Sequence, residues 1–275
     1  MSVRVYIGWD PRTAAAFEVC RHSLIRHASV PVDAIGLCDR ALRAGGAYWR
    51  PYRVDERGQM WDARDGAPFS TEFSYTRFCV PALEGYGDEP VVFCDADMLW
   101  RGDVDELVAL AGDAAVACVK HEHRPGELLK MTGAAQRCYG RKNWSSLMVL
   151  RPMRCTALTR YAVNVRPRDW LHGLRWVEDT DIGDLPEQWN WLEGWSDPEI
   201  DPKVVHFTRG TPDMAGYEGA AYAGAWRDEL RAAIAGGDLQ VAAAARQAGH
   251  GPGRPKSLGT PVPACGSANG HSAGG

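Results

Sequence analysis

The chain has 275 residues, of which 45% are hydrophobic and 24% charged, with a net charge of −4. This composition is typical of a globular protein with a sizeable core, and the length permits one large or two small domains. The acidic balance argues against nucleic acid or an anionic membrane surface as the main partner. The sequence shows no signal-peptide pattern and no transmembrane segment, so we expect a cytoplasmic protein.

Cysteine usage agrees with that expectation. The chain contains 8 cysteines, and no two of them form a Cys-x-x-Cys pair. Such scattered thiols predict reduced side chains in a reducing compartment, without a disulfide framework or a zinc site.

Strands and helices alternate along the first two-thirds of the chain. In chain order we predict a strand at 3–7, a helix at 13–27, a strand at 34–38, a loop to 68, a helix capped by Ser70 or Thr71, a strand at 91–94, a helix at 104–110, and strands at 114–119 and 144–150. This alternation predicts an α/β fold with a Rossmann-like, mostly parallel sheet flanked by helices.

The end of the chain has a different composition. Ala, Gly, Pro and Ser dominate from residue 242 onward, whereas 226–234 keeps apolar residues at helical spacing. We therefore predict a single folded domain over 1–241 and a disordered tail over 242–275.

The triplet Asp95-Ala96-Asp97 directly follows the apolar run 91–94. Parallel sheets bind ligands at the carboxyl ends of their strands, which is where these carboxylates would lie. Two carboxylates so close together suit a hard divalent cation that bridges them to an anionic group such as a diphosphate. An acidic pair at a strand end can instead cap the next helix.

Five short segments occur in an order that resembles a known family. They are Val5-Tyr6-Ile7-Gly8-Trp9-Asp10, Tyr75-x-Arg77-Phe78, Phe93-Cys94-Asp95-Ala96-Asp97, Leu185-Pro186-x-x-Trp189-Asn190 and Val205-His206-Phe207-Thr208-x-Gly210. The order resembles nucleotide-sugar glycosyltransferases of the GT-A fold, especially family 8, the glycogenin and lipopolysaccharide galactosyltransferase group. The resemblance implies a Mn²⁺-dependent (or Mg²⁺-dependent) hexosyltransferase that uses a UDP-sugar donor, retains anomeric configuration and transfers to a saccharide or other hydroxyl acceptor. It also implies a nucleotide and metal half at about 1–150 and an acceptor half at 151–241.

The resemblance further implies a metal-ligand set made of Asp95, Asp97 and His206. An imidazole added to carboxylate and phosphate oxygens suits Mn²⁺ better than Ca²⁺. Taken by itself, His206 is also compatible with a hydrogen-bonded histidine of the core.

The first strand would end at the nucleotide. Gly8 would allow close backbone approach, Trp9 could stack on the base, and Asp10 could accept a base N–H. The alternative for these three residues is an ordinary strand-to-helix turn.

Arginines would neutralise the diphosphate. Arg77 and Arg12 are the candidates, because a planar guanidinium binds phosphate oxygens in pairs. The same resemblance assigns Tyr75 and Ala96 to the donor site. Arg77 could alternatively be a solvated charge on a helix.

The sugar end of the site departs from the family pattern. The family's Asp-Gln-Asp segment corresponds to Asp179-Thr180-Asp181, in which Asp179 would orient the donor sugar and Asp181 would complete the catalytic pair. Asn143 or Ser145 would contact sugar hydroxyls, although Trp144 aligns with the family's asparagine. Arg209 would replace an expected lysine.

Two other functions remain open from the sequence. Asp95-Ala96-Asp97 resembles the nucleophile motif of haloacid-dehalogenase-like phosphatases, but Leu99 stands where that motif has Thr or Val. The 11 tryptophans are compatible with a non-catalytic module that binds glycans or sugar nucleotides.

Overall fold

A mixed sheet forms the centre of the fold in the computed structural model, which describes residues 2–122 and 141–236. The strands are β1 (Val3–Trp9), β2 (Val32–Cys38), β3 (Tyr52–Val54), β4 (Met60–Asp62), β5 (Pro68–Phe69), β6 (Val91–Cys94), β7 (Met98–Trp100), β8 (Val116–Cys118), β9 (Leu147–Leu150), β10 (Ile182–Asp184), β11 (Trp191–Leu192) and β12 (Val204–His206). The helices are α1 (Ala14–His27), α2 (Asp39–Ala44), α3 (Phe73–Thr76), α4 (Val80–Leu83), α5 (Val104–Ala111), α6 (Arg160–Val165), α7 (Arg168–His172) and α8 (Ala223–Ala235). The predicted tail 242–275, together with Cys138 and Cys265, lies outside the described residues.

The central sheet has six strands in the order β10-β8-β9-β6-β1-β2. Strand β9 runs antiparallel to both of its neighbours, whereas the β1–β2, β1–β6 and β8–β10 pairs are parallel. The predicted mostly parallel α/β sheet is therefore confirmed. The carboxyl ends of the five parallel strands lie at one edge, which we call the carboxyl edge.

The burial of β6 and α1 in the core explains why both elements could be predicted from the sequence. Strand β6 is buried at all four positions, as expected for a strand covered on both faces. Helix α1 buries Phe17, Cys20 and Leu24, which are spaced three to four residues apart and so lie on one helical face. Burying a side chain such as Phe17 or Leu24 contributes about 1.5–3 kcal/mol to stability.

A second, three-stranded sheet, β11-β12-β7, lies next to the Asp95–Asp97 turn. Strand β7 pairs antiparallel with β12, with Met98 opposite His206 and Trp100 opposite Val204. Strand β7 was not predicted from the sequence, because three consecutive buried apolar residues carry no strand periodicity.

The predicted loop 39–68 is wrong. This region forms α2 and a small antiparallel sheet of β3, β4 and β5. Arg50, only 1% exposed, binds both carboxylate oxygens of Asp62 at 3.0 and 2.6 Å and the carbonyl oxygens of Val163 and Arg166 at 3.2 and 2.7 Å. The small sheet is thus tied to α6 by a buried arginine, whose burial requires such partners. No sequence periodicity signals this arrangement.

Two predicted elements need smaller corrections. The helix expected after residue 70 is interrupted by a 3-10 turn at Arg77–Cys79 between α3 and α4. The strand expected at 144–150 begins only at Leu147, because Trp144–Ser146 form another 3-10 turn.

Six cysteines in the described ranges carry free thiols, five of them buried. Across residues 2–122 and 141–236, none of the helices combines the length and the apolar character needed to span a bilayer.

Candidate active site

Asp95 and Asp97 lie at the carboxyl edge, in the turn between β6 and β7. The helix that follows, α5, is capped by Asp103, whose carboxylate accepts from the Asp105 amide at 3.1 Å. The alternative in which the Asp95-Ala96-Asp97 triplet caps the next helix is therefore wrong. The side chain of Ala96 is buried in the core beneath the turn.

The pairing of β7 with β12 brings His206 to this turn. The Phe207 amide donates to the Asp97 carbonyl at 2.9 Å, and the His206 Nε2 atom lies 3.3 Å from Asp97 Oδ1 and 4.0 Å from Asp95 Oδ2. One ligand atom from each of these three side chains falls within 4.8 Å of the others. Two carboxylates and one imidazole at this separation fit a divalent ion of the Mn²⁺ or Mg²⁺ type. His206 is buried, but its Nε2 faces carboxylates rather than the apolar core.

The other ring nitrogen of His206 is held by a buried asparagine. His206 Nδ1 lies 2.8 Å from Asn190 Oδ1, and Asn190 is fully buried. Metal-binding histidines commonly bond a second residue through the nitrogen that does not bind the metal. The sequence places Asn190 within a family segment, but gives no sign of this contact.

Arg77 lies against the first carboxylate. Its guanidinium Nη2 is 2.9 Å from Asp95 Oδ1, and Nη1 and Nε donate to the carbonyls of Ser145 and Phe73 at 2.7 and 3.2 Å. The residue is only 6% exposed, so its interpretation as a solvated helix charge is wrong. Arg77 orients Asp95 in this structure.

The end of β1 is an internally paired turn. Asp10 is fully buried and accepts from Arg12 through Nε at 2.9 Å and Nη2 at 2.5 Å, and from the Glu72 amide at 3.1 Å. Burial acts to raise the pKa of Asp10, but the hydrogen bonds from Arg12 and the backbone outweigh it and hold that pKa below its usual value. Asp10 and Arg12 thus neutralise each other.

Gly8 has a packing role. A Cβ at this position would overlap the ring of Phe73, which is buried against the strand. Trp9 is partly buried against the core. Tyr75 is also buried, and the guanidinium carbon of Arg50 lies 4.3 Å from the centre of its ring.

The turn 143–146 lies directly beside the acidic pair. The Asp95 amide donates to the Ser146 carbonyl at 2.8 Å, and Asn143 has a left-handed backbone with φ of 65°. The Ser145 hydroxyl lies 3.1 Å from Nδ1 of His172, so this hydroxyl is already engaged within the protein.

Asp179 and Asp181 do not join the metal-ligand group of the described residues. They form a 3-10 turn before β10, whose first residue, Ile182, pairs with Val116 at the start of β8. Val116 in turn lies opposite Leu150 of β9, and Leu150 lies opposite Val91, the first residue of β6. Asp95 is at the other end of β6, about 13 Å further along the strand and about 14 Å across three strand spacings. Asp181 is therefore placed away from the metal ligands, whereas the predicted role of Asp179 at the donor sugar stays a prediction.

The two carboxylates have different arginine partners. Asp179 pairs with Arg141 at 2.6 Å and its side chain is 78% exposed, and Asp181 pairs with Arg154 at 2.6 Å. Arg209, in contrast, follows the metal-ligand strand closely, and its guanidinium binds Glu193 at 2.8 Å while packing over Gly194.

One further histidine near the site was missed from the sequence. His121 follows β8 at the carboxyl edge, and burial together with the nearby His206 lowers the pKa of His121 to about 4. Its Nε2 atom is buried without a hydrogen-bond partner within the described part of the chain. Its only sequence signal is its place after a predicted strand.

Solved structures of glycosyltransferases share this fold. The chain matches the bifunctional glycosyltransferase WbbM with a TM-score of 0.54 and 18% identity, covering 83% of this chain and 49% of WbbM. It matches the galactosyltransferase LgtC with a TM-score of 0.50 and 12% identity (84% of this chain, 96% of LgtC), and GlyE of Streptococcus pneumoniae with 0.50 and 14% (84% and 60%). The chain spans about half the length of WbbM. The fold is the GT-A fold of nucleotide-sugar glycosyltransferases resembling family 8.

The sequence comparison gives the particular family. No protein-family model matches the chain. The chain is 39% identical over 236 residues to protein CDI of Arabidopsis thaliana, covering 82% of this chain and 85% of that protein. The chain belongs to the family of protein CDI.

Proposed function

We propose that this protein is a metal-dependent glycosyltransferase that moves a hexose from a nucleoside diphosphate sugar, of the UDP-sugar type, to a hydroxyl acceptor with retention of configuration. The observation that carries the proposal is the convergence of Asp95, Asp97 and His206 at the carboxyl edge. Ligands of α/β sheets bind at this edge, and this ligand set suits the cation that accompanies a diphosphate. The GT-A fold adds support, and the structure of LgtC holds donor and acceptor sugar analogues.

The metal would supply a positive charge that stabilises the leaving nucleoside diphosphate. Asp95, Asp97 and His206 would hold it, and Arg77 would keep Asp95 in position through their 2.9 Å ion pair. Because Arg77 is already bound to Asp95 and to two carbonyl oxygens, its effect on the diphosphate would be that of a fixed nearby charge.

The sugar would lie beyond the metal, towards the turn 143–146. Asn143 and the backbone of Ser145 are the candidates for holding its hydroxyls. In a retaining transfer, the acceptor hydroxyl attacks from the face that the diphosphate leaves, and an oxygen of that diphosphate accepts the proton. A protein carboxylate is not required as the base.

The alternative functions receive less support. A haloacid-dehalogenase-like phosphatase would use Asp95 as a nucleophile, whereas here an arginine and a histidine approach its two oxygens. A glycan-binding module would need exposed aromatic faces. In the tryptophan-rich stretch, Trp176, Trp189 and Trp191 are buried, whereas Trp195 is 50% exposed.

The test is release of nucleoside diphosphate from a panel of UDP- and GDP-hexoses, with Mn²⁺, with Mg²⁺ and with a chelator. We expect Mn²⁺-dependent release from at least one donor, since slow transfer to water does not need the acceptor. Hydrolysis of a phosphate monoester with no release from any donor would overturn the proposal and favour the phosphatase.

A further inference from the structure

A chain of hydrogen bonds connects His206 to the turn 143–146. Asn190 Nδ2 lies 2.9 Å from Ser146 Oγ and 3.4 Å from the Asn143 carbonyl, and Ser146 Oγ lies 2.7 Å from that same carbonyl. Asn190 Oδ1 faces His206 Nδ1 at 2.8 Å. Asn190 is the middle of this chain, since it contacts the metal-ligand strand on one side and the turn on the other.

The Asn143 carbonyl, at the end of this series of hydrogen bonds, fixes which atom donates in each of the others. A backbone carbonyl can only accept, so the Ser146 hydroxyl donates its proton to the Asn143 carbonyl. The remaining lone pairs of Ser146 Oγ then accept from the Asn190 amide nitrogen. The Asn190 carbonyl oxygen must therefore point at the ring.

The orientation of the Asn190 amide determines which ring nitrogen of His206 carries a proton. Because Asn190 Oδ1 is an acceptor, His206 Nδ1 carries the ring proton. When the ring holds a single proton, that proton is therefore on Nδ1, and the lone pair of Nε2 faces Asp95 and Asp97. A bare Nε2 is the form that binds a cation.

We infer that Asn190 is a positioning residue that selects the Nδ1–H form of His206 and so prepares Nε2 as a metal ligand. The metal part of this inference rests on the proposed function, but the choice of ring nitrogen does not. Outer partners of metal-binding histidines typically change metal affinity by about 10–100-fold when they are removed. We expect a loss of that size for Asn190→Leu, which keeps a similar volume but cannot accept the proton.

The first experiment measures directly which ring nitrogen of His206 carries the proton. At a pH at which the His206 ring holds a single proton, ¹⁵N NMR of the wild-type histidine side chains should place that proton on Nδ1, with the His206 signals assigned by their loss in His206→Ala. An Nε2–H form would overturn the inference, whatever the protein binds.

The second experiment measures Mn²⁺ affinity by the electron paramagnetic resonance signal of the free ion. Asn190→Leu should bind about 10–100-fold more weakly than wild type, and Asn190→Asp should bind at least as tightly, because a carboxylate still accepts from Nδ1–H. Equal affinities for wild type, Asn190→Leu and Asn190→Asp would overturn the inference. Absence of Mn²⁺ binding by wild type would instead overturn the proposed function.

A matched control separates positioning from folding. Asn164 is also fully buried, and its side chain accepts from the Trp49 amide at 2.6 Å and donates to the Arg160 carbonyl at 2.8 Å. Asn164→Leu should destabilise the fold without changing Mn²⁺ affinity. If Asn190→Leu does not fold, the NMR measurement on wild type still tests which ring nitrogen of His206 carries the proton, and Asn190→Asp still tests the effect on Mn²⁺ affinity.

Discussion

Removal of one carboxylate should separate metal binding from folding. Asp97 is 31% exposed, and without a cation its charge lies close to that of Asp95. Asp97→Ala removes this like-charge neighbour, the 3.3 Å contact with His206 Nε2 and little packing; the first two effects have opposite signs, so the melting temperature of the metal-free protein should change by less than about 2 °C. If the proposed function holds, Mn²⁺ and UDP should stabilise wild type, and we expect the variant to lose that stabilisation.

The size of that stabilisation follows from mass action. A ligand present at about 100 times its Kd stabilises the native state by about 2.7 kcal/mol, which raises the melting temperature of a domain of this size by about 5–10 °C. Thermal melts with Mn²⁺, UDP, both or neither would measure it. Asp201→Ala is the control, because Asp201 is 86% exposed and pairs only at the surface with Arg101 at 2.7 Å. A full upward shift in Asp97→Ala would refute the assignment of Asp97 as a ligand.

Four other predictions concern the packing of Gly8, the protonation of Glu72, the role of Asp179 and the tail. Gly8→Ala should lower the free energy of unfolding by about 1–3 kcal/mol, because its methyl group overlaps Phe73, and urea denaturation would measure this. Burial and two nearby carboxylates raise the pKa of Glu72 to about 7 from 4.5, so the native state holds this proton longer than the unfolded chain and stability should fall as pH rises from 4.5 to 7. Glu72→Gln should flatten that part of the pH profile; an unchanged slope would contradict the assignment. If Asp179 orients the donor sugar, Asp179→Asn should lower donor turnover much more than it weakens UDP binding, and equal losses would place this residue in a structural role. Deletion of 242–275 should leave both melting temperature and donor hydrolysis unchanged, since the segment is poor in large apolar residues; limited proteolysis that protects it would show otherwise.

Local patterns in the sequence predicted the elements whose signals are local. Strand β6 is a continuous apolar run, α1 repeats its buried side chains at helical spacing, and Asp95 follows a strand directly. These features need no knowledge of distant residues, so the carboxyl edge and its acidic pair could be found from the sequence.

Contacts between distant segments could not be found in this way. The family resemblance grouped His206 with the acidic pair, but no local pattern in the sequence shows the pairing of β7 with β12 or the hydrogen bond between His206 and Asn190. The misplacement of Asp181 has the same origin, because a motif match gives neither the strand that follows it nor the end of the sheet at which that strand begins.

The β7–β12 pairing also has a consequence for biosynthesis. Strands β1, β2 and β6 can associate as soon as the first hundred residues or so have emerged from the ribosome, because proteins fold from the N-terminus during translation. His206 comes much later, and its strand must then dock antiparallel onto β7. We therefore expect the nascent chain to carry an acidic turn that lacks its imidazole while the roughly one hundred residues between Asp97 and His206 are synthesised, and to acquire tight affinity for a transition metal only after His206 has emerged.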